Sequence, residues 1–492
     1  MSILRHTLAL LILLTGTAAF AQSMTEAQKS EMRSLREQQT AIWRKIRAGE
    51  AVENDRRALL RAIDEYNLNF PNDTAGLTFA AEIAAALGDD DLVDTYYSNI
   101  LGTNPQLVRQ GLAWAAYYYD SNPARAEQIL LRLGSNAPDN LAFSMAMYEF
   151  YTKKMPDRLD RQFEGLIEHP PTRELVGFIN GVSATSRDLG LHYARKAKQR
   201  WPEDPIATAQ LASRLRWVAR YQDAIDQFVQ LDEPLLLRDD IGMEYADCLY
   251  AVHRFTDSIE HLQAIELQDS IYDKRASRGI NFRLGTRPRM IQAWKDEQVL
   301  RQSDAARDDN PRATIVVDGA PIRVELFEDQ APVSVANFIH LADEGFYRDS
   351  DFHRVETGLI SQGGRRAGDS DPYGGPGYFI EHEGRRGDAR GHFRGSLCMA
   401  STGQDQRIGS QFYITHFPTA HLDGTHVVIG RVLEGQEQIE SMRGGERIND
   451  VTITRRREHD YPMDVELEDG TTVPRSVWRA MQQAGDQSSD EP

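Results

Sequence analysis

Five prolines, Pro71, Pro105, Pro138, Pro170 and Pro202, recur 34, 33, 32 and 32 residues apart, and this spacing constrains the fold more than any other feature of the chain. Proline cannot continue a helical hydrogen-bond ladder, so each one marks the end of a similar segment. Between Met24 and Asp304 the residues are rich in Ala, Leu, Gln, Arg and Glu, with few β-branched runs, which favours helix throughout. A helix hairpin of about this length cannot bury its apolar face alone, whereas stacked hairpins share a continuous core. Small residues, Ala194 and Ala197, precede Pro202 where helices must approach closely. Further on, Arg220-Tyr221-Gln222-Asp223-Ala224-Ile225 is echoed 34 residues later by Arg254-Phe255-Thr256-Asp257-Ser258-Ile259. Residues 24–304 are therefore expected to form an all-α solenoid of helical hairpins.

The period and the small-residue-to-proline pattern resemble the tetratricopeptide repeat family over most of residues 50–270, although the Trp-Leu-Gly half of its motif is degraded. An irregular helical solenoid without that family's superhelix is the alternative. Either form presents a concave face suited to a protein or peptide partner. Trp114, Trp201, Trp217, Tyr117, Tyr118 and Tyr119 are candidates for groove walls or for core packing.

At the N-terminus, Arg5-His6, the apolar run Leu8–Leu14 and the box Ala19-Phe20-Ala21 make an export signal, expected to be removed after Ala21. The alternative is an uncleaved anchor, but the apolar run is short of the roughly 20 residues that span a bilayer. Beyond it, nothing in the sequence is long and apolar enough to cross a membrane. Export to a bacterial periplasm is the expected destination. The net charge of −18 repels phosphate backbones and argues against nucleic acid as a partner. Only two cysteines are present, Cys248 and Cys398. Far apart in sequence and among apolar neighbours, they are expected to be buried thiols and not a disulfide.

The charged stretch Ala305 to Pro311 is the expected linker, and after it the pattern changes from helical to alternating. Ala313–Val317 and Ile322–Phe327 read as strands around an Asp318-Gly319 turn. Ala331-Pro332 opens a helix ended by Gly345, and a second helix is expected near Gln436–Met442, before a closing strand Asp450–Thr454. Many short strands with two helices predict a closed antiparallel β-barrel capped at its ends.

Several blocks in this region carry a family resemblance: Val335-Ala336-Asn337-Phe338 to Gly345-Phe346-Tyr347, Phe352-His353-Arg354-Val355, Gln362-Gly363-Gly364, Gly375-Pro376-Gly377-Tyr378, Gly409-Ser410-Gln411-Phe412-Tyr413-Ile414, and Leu422-Asp423-Gly424-Thr425-His426 through Gly430-Arg431-Val432. In this order, over residues 311–457, they resemble the cyclophilin-type peptidyl-prolyl isomerases. The resemblance implies rotation about X–Pro bonds, which has an uncatalysed barrier of about 18–20 kcal/mol. Such chemistry needs no nucleophile, metal or cofactor. It needs a donor that favours the twisted amide. The resemblance makes Arg354 that donor, with Gln362 orienting it or binding substrate backbone, and an always-charged, forked guanidinium suits the role. It also implies that Phe352 supports the wall of a proline slot lined by Leu359, Ile360, Tyr413, His421, Leu422 and His426. Met399, Ala400, Ser401 and Gln411 would hold the residues before the proline.

Four positions depart from the family: Leu359 for a Phe, Thr357 for a Pro, Tyr413 for a Phe, and His421 where a Trp is frequent. Each lost aromatic surface would cost on the order of 1 kcal/mol of grip on proline. His382, His392, His416, His421 and His426 fit no zinc spacing, so no metal is expected. Residues 458–492 read as an extension ending in a disordered acidic tail. Two functions remain open: an exported foldase whose repeats bring a partner or a proline-containing client to the barrel, and a non-catalytic adaptor whose weakened barrel only binds proline-containing segments.

Overall fold

The computed structural model describes residues 24–71, 73–136, 141–266, 274–366, 368, 374–402 and 407–488. The expected export signal at 1–21, Pro138, residues 403–406 and the last four residues of the tail lie outside these. Two compact units, Met1–Tyr193 and Ala194–Pro492, make up the chain.

The first unit is all-helical: α1 (Glu26–Arg47), α2 (Glu53–Asn69), α3 (Thr74–Leu87), α4 (Asp90–Thr103), α5 (Val108–Tyr118), α6 (Pro123–Asn136), α7 (Leu141–Lys154), α8 (Pro156–Leu166) and α9 (Arg173–Thr185), with the start of α10 (Arg187–Arg200). Capping is local and legible. Asp73 accepts from the Ala75 amide at 3.0 Å to start α3, and Gly88, at φ 73°, ends it in the left-handed conformation that glycine adopts without strain. Pro71, Pro105 and Pro202 each follow a helix end by two residues, closing α2, α4 and α10. Phe79, Ala80, Ala81 and Ala84 are fully buried, so small side chains line the close approach of neighbouring helices. Trp114 and Tyr118 are buried as well, and the Trp114 indole donates to Asp94 at 2.7 Å. Among the described residues no helix is long and apolar enough to cross a membrane.

The second unit begins with further helices: α11 (Pro205–Trp217), α12 (Tyr221–Phe228), the short α13 (Glu233–Leu236), α14 (Asp239–Ala251), α15 (Phe255–Glu266), α16 (Lys274–Thr286) and α17 (Pro288–Arg307). The echoed sequence has a structural counterpart. Ala219 and His253, 34 residues apart, each take positive φ (63° and 66°) in the turns before α12 and α15. Asp247 of α14 is buried against Arg216, Arg283 and Arg287, and these guanidinium groups hold its carboxyl well below the usual range despite its burial. Cys248 and Cys398 are free and fully buried, and burial pushes both thiols up.

The β region comprises β1 (Arg312–Val317), β2 (Ala320–Leu326), α18 (Pro332–Asp343), β3 (Ser350–Asp351), β4 (Arg354–Glu356), β5 (Ile360–Gly363), β6 (Ser396–Thr402), β7 (Arg407–Thr415), β8 (Val427–Glu434), α19 (Gln436–Ser441) and β9 (Arg447–Arg455). Asp318 and Gly319 both have positive φ, 47° and 83°, which joins β1 to β2 by a two-residue turn matched to strand twist. All pairs are antiparallel, in the order β3-β9-β1-β2-β8-β6-β7-β5-β4. The expected closed barrel is thus corrected: the sheet is an open, curled half-barrel with edges at β3 and β4. The reason lies in the chain path. The two edge strands, of two and three residues, are successive pieces of one run interrupted at Phe352-His353. Phe352 turns its ring into the core, and its amide donates to Glu446 at 2.9 Å. Phe352 and His353, between the two pieces, belong to no strand, so no ladder runs from one edge to the other.

The main core lies between the sheet and α18 and α19, with Phe338, Phe412, Leu397, Met399 and Ile439 fully buried. The C-terminal extension adds β10 (Asp464–Glu466), β11 (Thr472–Pro474) and α20 (Arg475–Ser488). Trp478 of α20 packs edge-on against Tyr378 at 4.6 Å.

Helices and half-barrel meet in this unit through a buried ion cluster. Arg390, with no exposed side-chain surface, is held by Glu297 at 3.0 Å and by Asp304, both on α17. Removing the cation would leave each buried carboxylate with one remaining arginine, Arg301 on Glu297 at 2.7 Å and Arg307 on Asp304 at 3.1 Å, at a cost of about 3 kcal/mol. Arg390→Ala is therefore expected to lower the denaturant midpoint of the full chain sharply. Arg390→Met combined with Glu297→Gln and Asp304→Asn should recover much of the loss.

Candidate proline-binding site

One row of paired residues organises the site. The register places Arg354 of β4 opposite Gln362 of β5, Gln362 opposite Tyr413 of β7, Tyr413 opposite Cys398 of β6, and Cys398 opposite Val428 of β8. Paired residues share a face, and side chains alternate along each strand. This face therefore gathers a small apolar cluster, separate from the main core, of Phe327, Ile360, Cys398, Tyr413 and Val428, with Leu359, Ala400 and Leu422 packed against it. Of the expected slot residues, Leu359, Ile360, Ala400, Tyr413 and Leu422 are brought together here. Met399 and Phe352 are not, because both point into the main core. Met399 lies one residue from Ala400 and Cys398, and strand alternation sends it to the opposite face.

The polar edge of the slot is a hydrogen-bonded chain. Arg354 Nη1 donates to Gln362 Oε1 at 3.2 Å, Gln362 Nε2 to Gln411 Oε1 at 3.0 Å, and Gln411 Nε2 to the Gly374 carbonyl at 3.3 Å. Gln411 is buried and Arg354 exposed, so a fixed relay leads out to a solvent-facing guanidinium. The sequence reading missed Glu356. Two residues along β4 on the same face, its carboxylate takes Arg354 Nε at 2.9 Å and Nη2 as well. Both side chains are about half exposed, at 54% and 43%. An ion pair in that setting contributes about 1 kcal/mol or less, and it occupies two of the guanidinium's donor nitrogens.

The hydroxyl of Tyr413 does not enter the slot. It donates to His392 Nε2 at 3.0 Å, and the other imidazole nitrogen donates to the Asp423 carboxylate at 2.7 Å. The departure from Phe is thus satisfied behind the wall, and the ring still faces His426 edge-on at 5.6 Å. Burial, followed by the neighbouring His392, His382 and His421, lowers the His426 pKa to about 4. His421 is exposed on the 3-10 turn Ala420–Leu422, and Ser401 Oγ donates to the Thr425 carbonyl at 3.2 Å. His416, fully buried, pins the turn that carries Leu359. Its Nδ1 accepts from the Gly358 amide at 3.1 Å, and its Nε2 lies 2.9 Å from Ser361 Oγ.

The half-barrel thus sets a forked cation beside an apolar slot. The family described as cyclophilin type peptidyl-prolyl cis-trans isomerase/CLD matches residues 313–458. Peptidyl-prolyl cis-trans isomerase B of Bacillus subtilis is 44% identical over 139 residues, which cover 28% of this chain and 94% of the relative. A peptidyl-prolyl cis-trans isomerase of Synechococcus elongatus is 40% identical over 144 residues, 29% of this chain and 95% of the relative. A solved cyclophilin type peptidyl-prolyl cis-trans isomerase of Cryptosporidium parvum, 28% identical, aligns over 30% of this chain and 99% of its own with a TM-score of 0.27. The chain belongs to the cyclophilin-type peptidyl-prolyl cis-trans isomerase family, which supports a folding-related isomerase function for the half-barrel.

Two predictions follow from the buried groups. Tyr413→Phe leaves His392 Nε2 without its partner and should cost about 1–2 kcal/mol in denaturant unfolding. Burial and nearby arginines also hold His253 and His416 at about 3, below the roughly 6.5 of an unfolded histidine. Their contribution is full above about pH 6.5 and is lost as pH falls toward 3. By pH 5 each should have lost about 2 kcal/mol. The unfolding midpoint should therefore fall between pH 7 and pH 5, and fall less in His416→Gln.

Proposed function

We propose that the half-barrel binds proline-containing segments of client proteins as an adaptor in which isomerisation is held down. On this reading the all-helical region, a tetratricopeptide-like repeat array, brings a protein or peptide partner to it. The observation that carries the proposal is the Glu356 carboxylate on Arg354 Nε and Nη2. These are the donors that would otherwise meet the substrate carbonyl and the developing nitrogen lone pair. The absence of an aromatic ring at Leu359 acts in the same direction by loosening the hold on the proline ring, and the open sheet edge leaves Arg354 on a three-residue strand. Residues 1–21 support export, to a periplasm, as the setting.

A second reading, an exported foldase, is favoured by the intact relay from Arg354 through Gln362 to Gln411. The two are separated by titrating the full chain with a proline-containing tetrapeptide while measuring its cis/trans exchange. The adaptor binds saturably with exchange at the uncatalysed rate, and Glu356→Gln then raises exchange several-fold. The foldase exchanges the peptide above background without mutation and loses that rate in Arg354→Ala. A protein that neither binds nor exchanges the peptide would sink both.

A further inference from the structure

The five residues Arg390-Gly391-His392-Phe393-Arg394 form a strap held from two sides within the second unit. On one side are the helices. Arg390 is clamped by Glu297 and Asp304 of α17. Phe393 packs in a buried cluster with Tyr250, Phe255 and Met290, and against Trp294 at 4.9 Å. The Arg394 amide donates to His253 Nε2 at 3.2 Å, and the His253 ring is stacked on Trp294 at 4.0 Å. On the other side is the slot. The His392 ring holds the Tyr413 hydroxyl and Asp423. Its backbone amide donates to Asp423 at 2.9 Å, and its carbonyl accepts from the Thr419 amide at 3.1 Å. Thr419 and Asp423 bracket Leu422, a slot wall. Arg390 also lies over the ring of Phe327, in the slot's own cluster, at 3.9 Å.

We infer that His253 and Trp294 are positioning residues for the proline slot, acting through the strap 390–394 on Tyr413 and on the turn 419–423. The inference rests on the reading of this slot as a proline site. His392 is buried, and its ring and backbone are committed to four hydrogen bonds with three residues, Asp423, Tyr413 and Thr419. It cannot swing without stranding polar atoms away from water, so a displacement of Phe393 or Arg394 is passed on to the slot and not absorbed locally. The two positive-φ turns at Ala219 and His253 supply the rigid edge. The first brings Tyr221 to Phe417 (6.1 Å) and the second brings His253 to Phe393 (5.8 Å). A seam that served only as glue would change stability and leave slot geometry alone.

The test compares the full chain with His253→Ala, His253→Gln and Trp294→Phe. It follows backbone hydrogen exchange in 416–423 and the Kd of a proline-containing tetrapeptide. His253→Ala should speed exchange of the Thr419 and Leu422 amides about tenfold and raise Kd about fivefold, with exchange in α3 unchanged. His253→Gln, whose side-chain oxygen can accept from Arg394, should restore most of both. Should His253→Ala fail to fold, Trp294→Phe, which keeps an aromatic ring under His253, is expected to show the same changes in smaller measure. Exchange in 416–423 and Kd both within twofold of the unmutated chain, in whichever variant folds, would overturn the inference. If the unmutated chain binds no peptide, the slot reading fails, and the exchange comparison still decides whether the strap transmits.

Discussion

The pairing row Arg354–Gln362–Tyr413–Cys398–Val428 is the constraint on which the rest of the half-barrel depends. Five strands contribute one residue each, and their common face decides what can meet what. A one-residue slip anywhere in that row would exchange slot residues for core residues, because side chains alternate with period two. The same parity that gathers Ile360 and Tyr413 above the sheet sends Phe412 and Met399 beneath it, and Phe352 turns under because it sits off the strands at the break in the run.

Polar atoms near the slot are arranged so that the outermost is the least constrained. Gln411 is buried and bonded on both sides, Gln362 is half-buried, and Arg354 is exposed. The guanidinium is therefore aimed by its neighbours yet free to change partners, and Glu356 is the partner it keeps. Behind the wall the histidines do structural work. His392 and His416 accept from or donate to named protein atoms, and the Tyr413 hydroxyl is satisfied within the core.

Much of this was legible in the chain. The proline spacing located helix ends to within two residues at Pro71, Pro105 and Pro202, since proline acts locally. Of the residues in the family blocks, Leu359, Ile360, Ala400, Tyr413 and Leu422 lie in one apolar cluster, since they sit on or beside neighbouring strands. What escaped has a physical reason in each case. The sheet ends at two edges because the run breaks at Phe352-His353, which belong to no strand, and no local pattern encodes that break. Met399 was misplaced by strand parity at the bulge between Met399 and Ser401. Glu356 was readable, two residues from Arg354 on one strand face, but its charge drew no notice beside the motif. The strap was beyond reach, because it pairs Arg390 with Glu297 and Asp304, 93 and 86 residues away. The extension was readable at 458–492, but the docking of α20 was not, because it pairs Trp478 with Tyr378 and Arg475 and Arg479 with Glu344, all distant in sequence.

The left-handed turns at Ala219 and His253 have a bearing on how such a chain can change over generations. Both belong to the last hairpins before the half-barrel and repeat one shape at a 34-residue interval. Ala219 can drift to glycine or asparagine and keep its left-handed turn, whereas His253 must keep both the turn and the ring that meets Arg394 and Trp294.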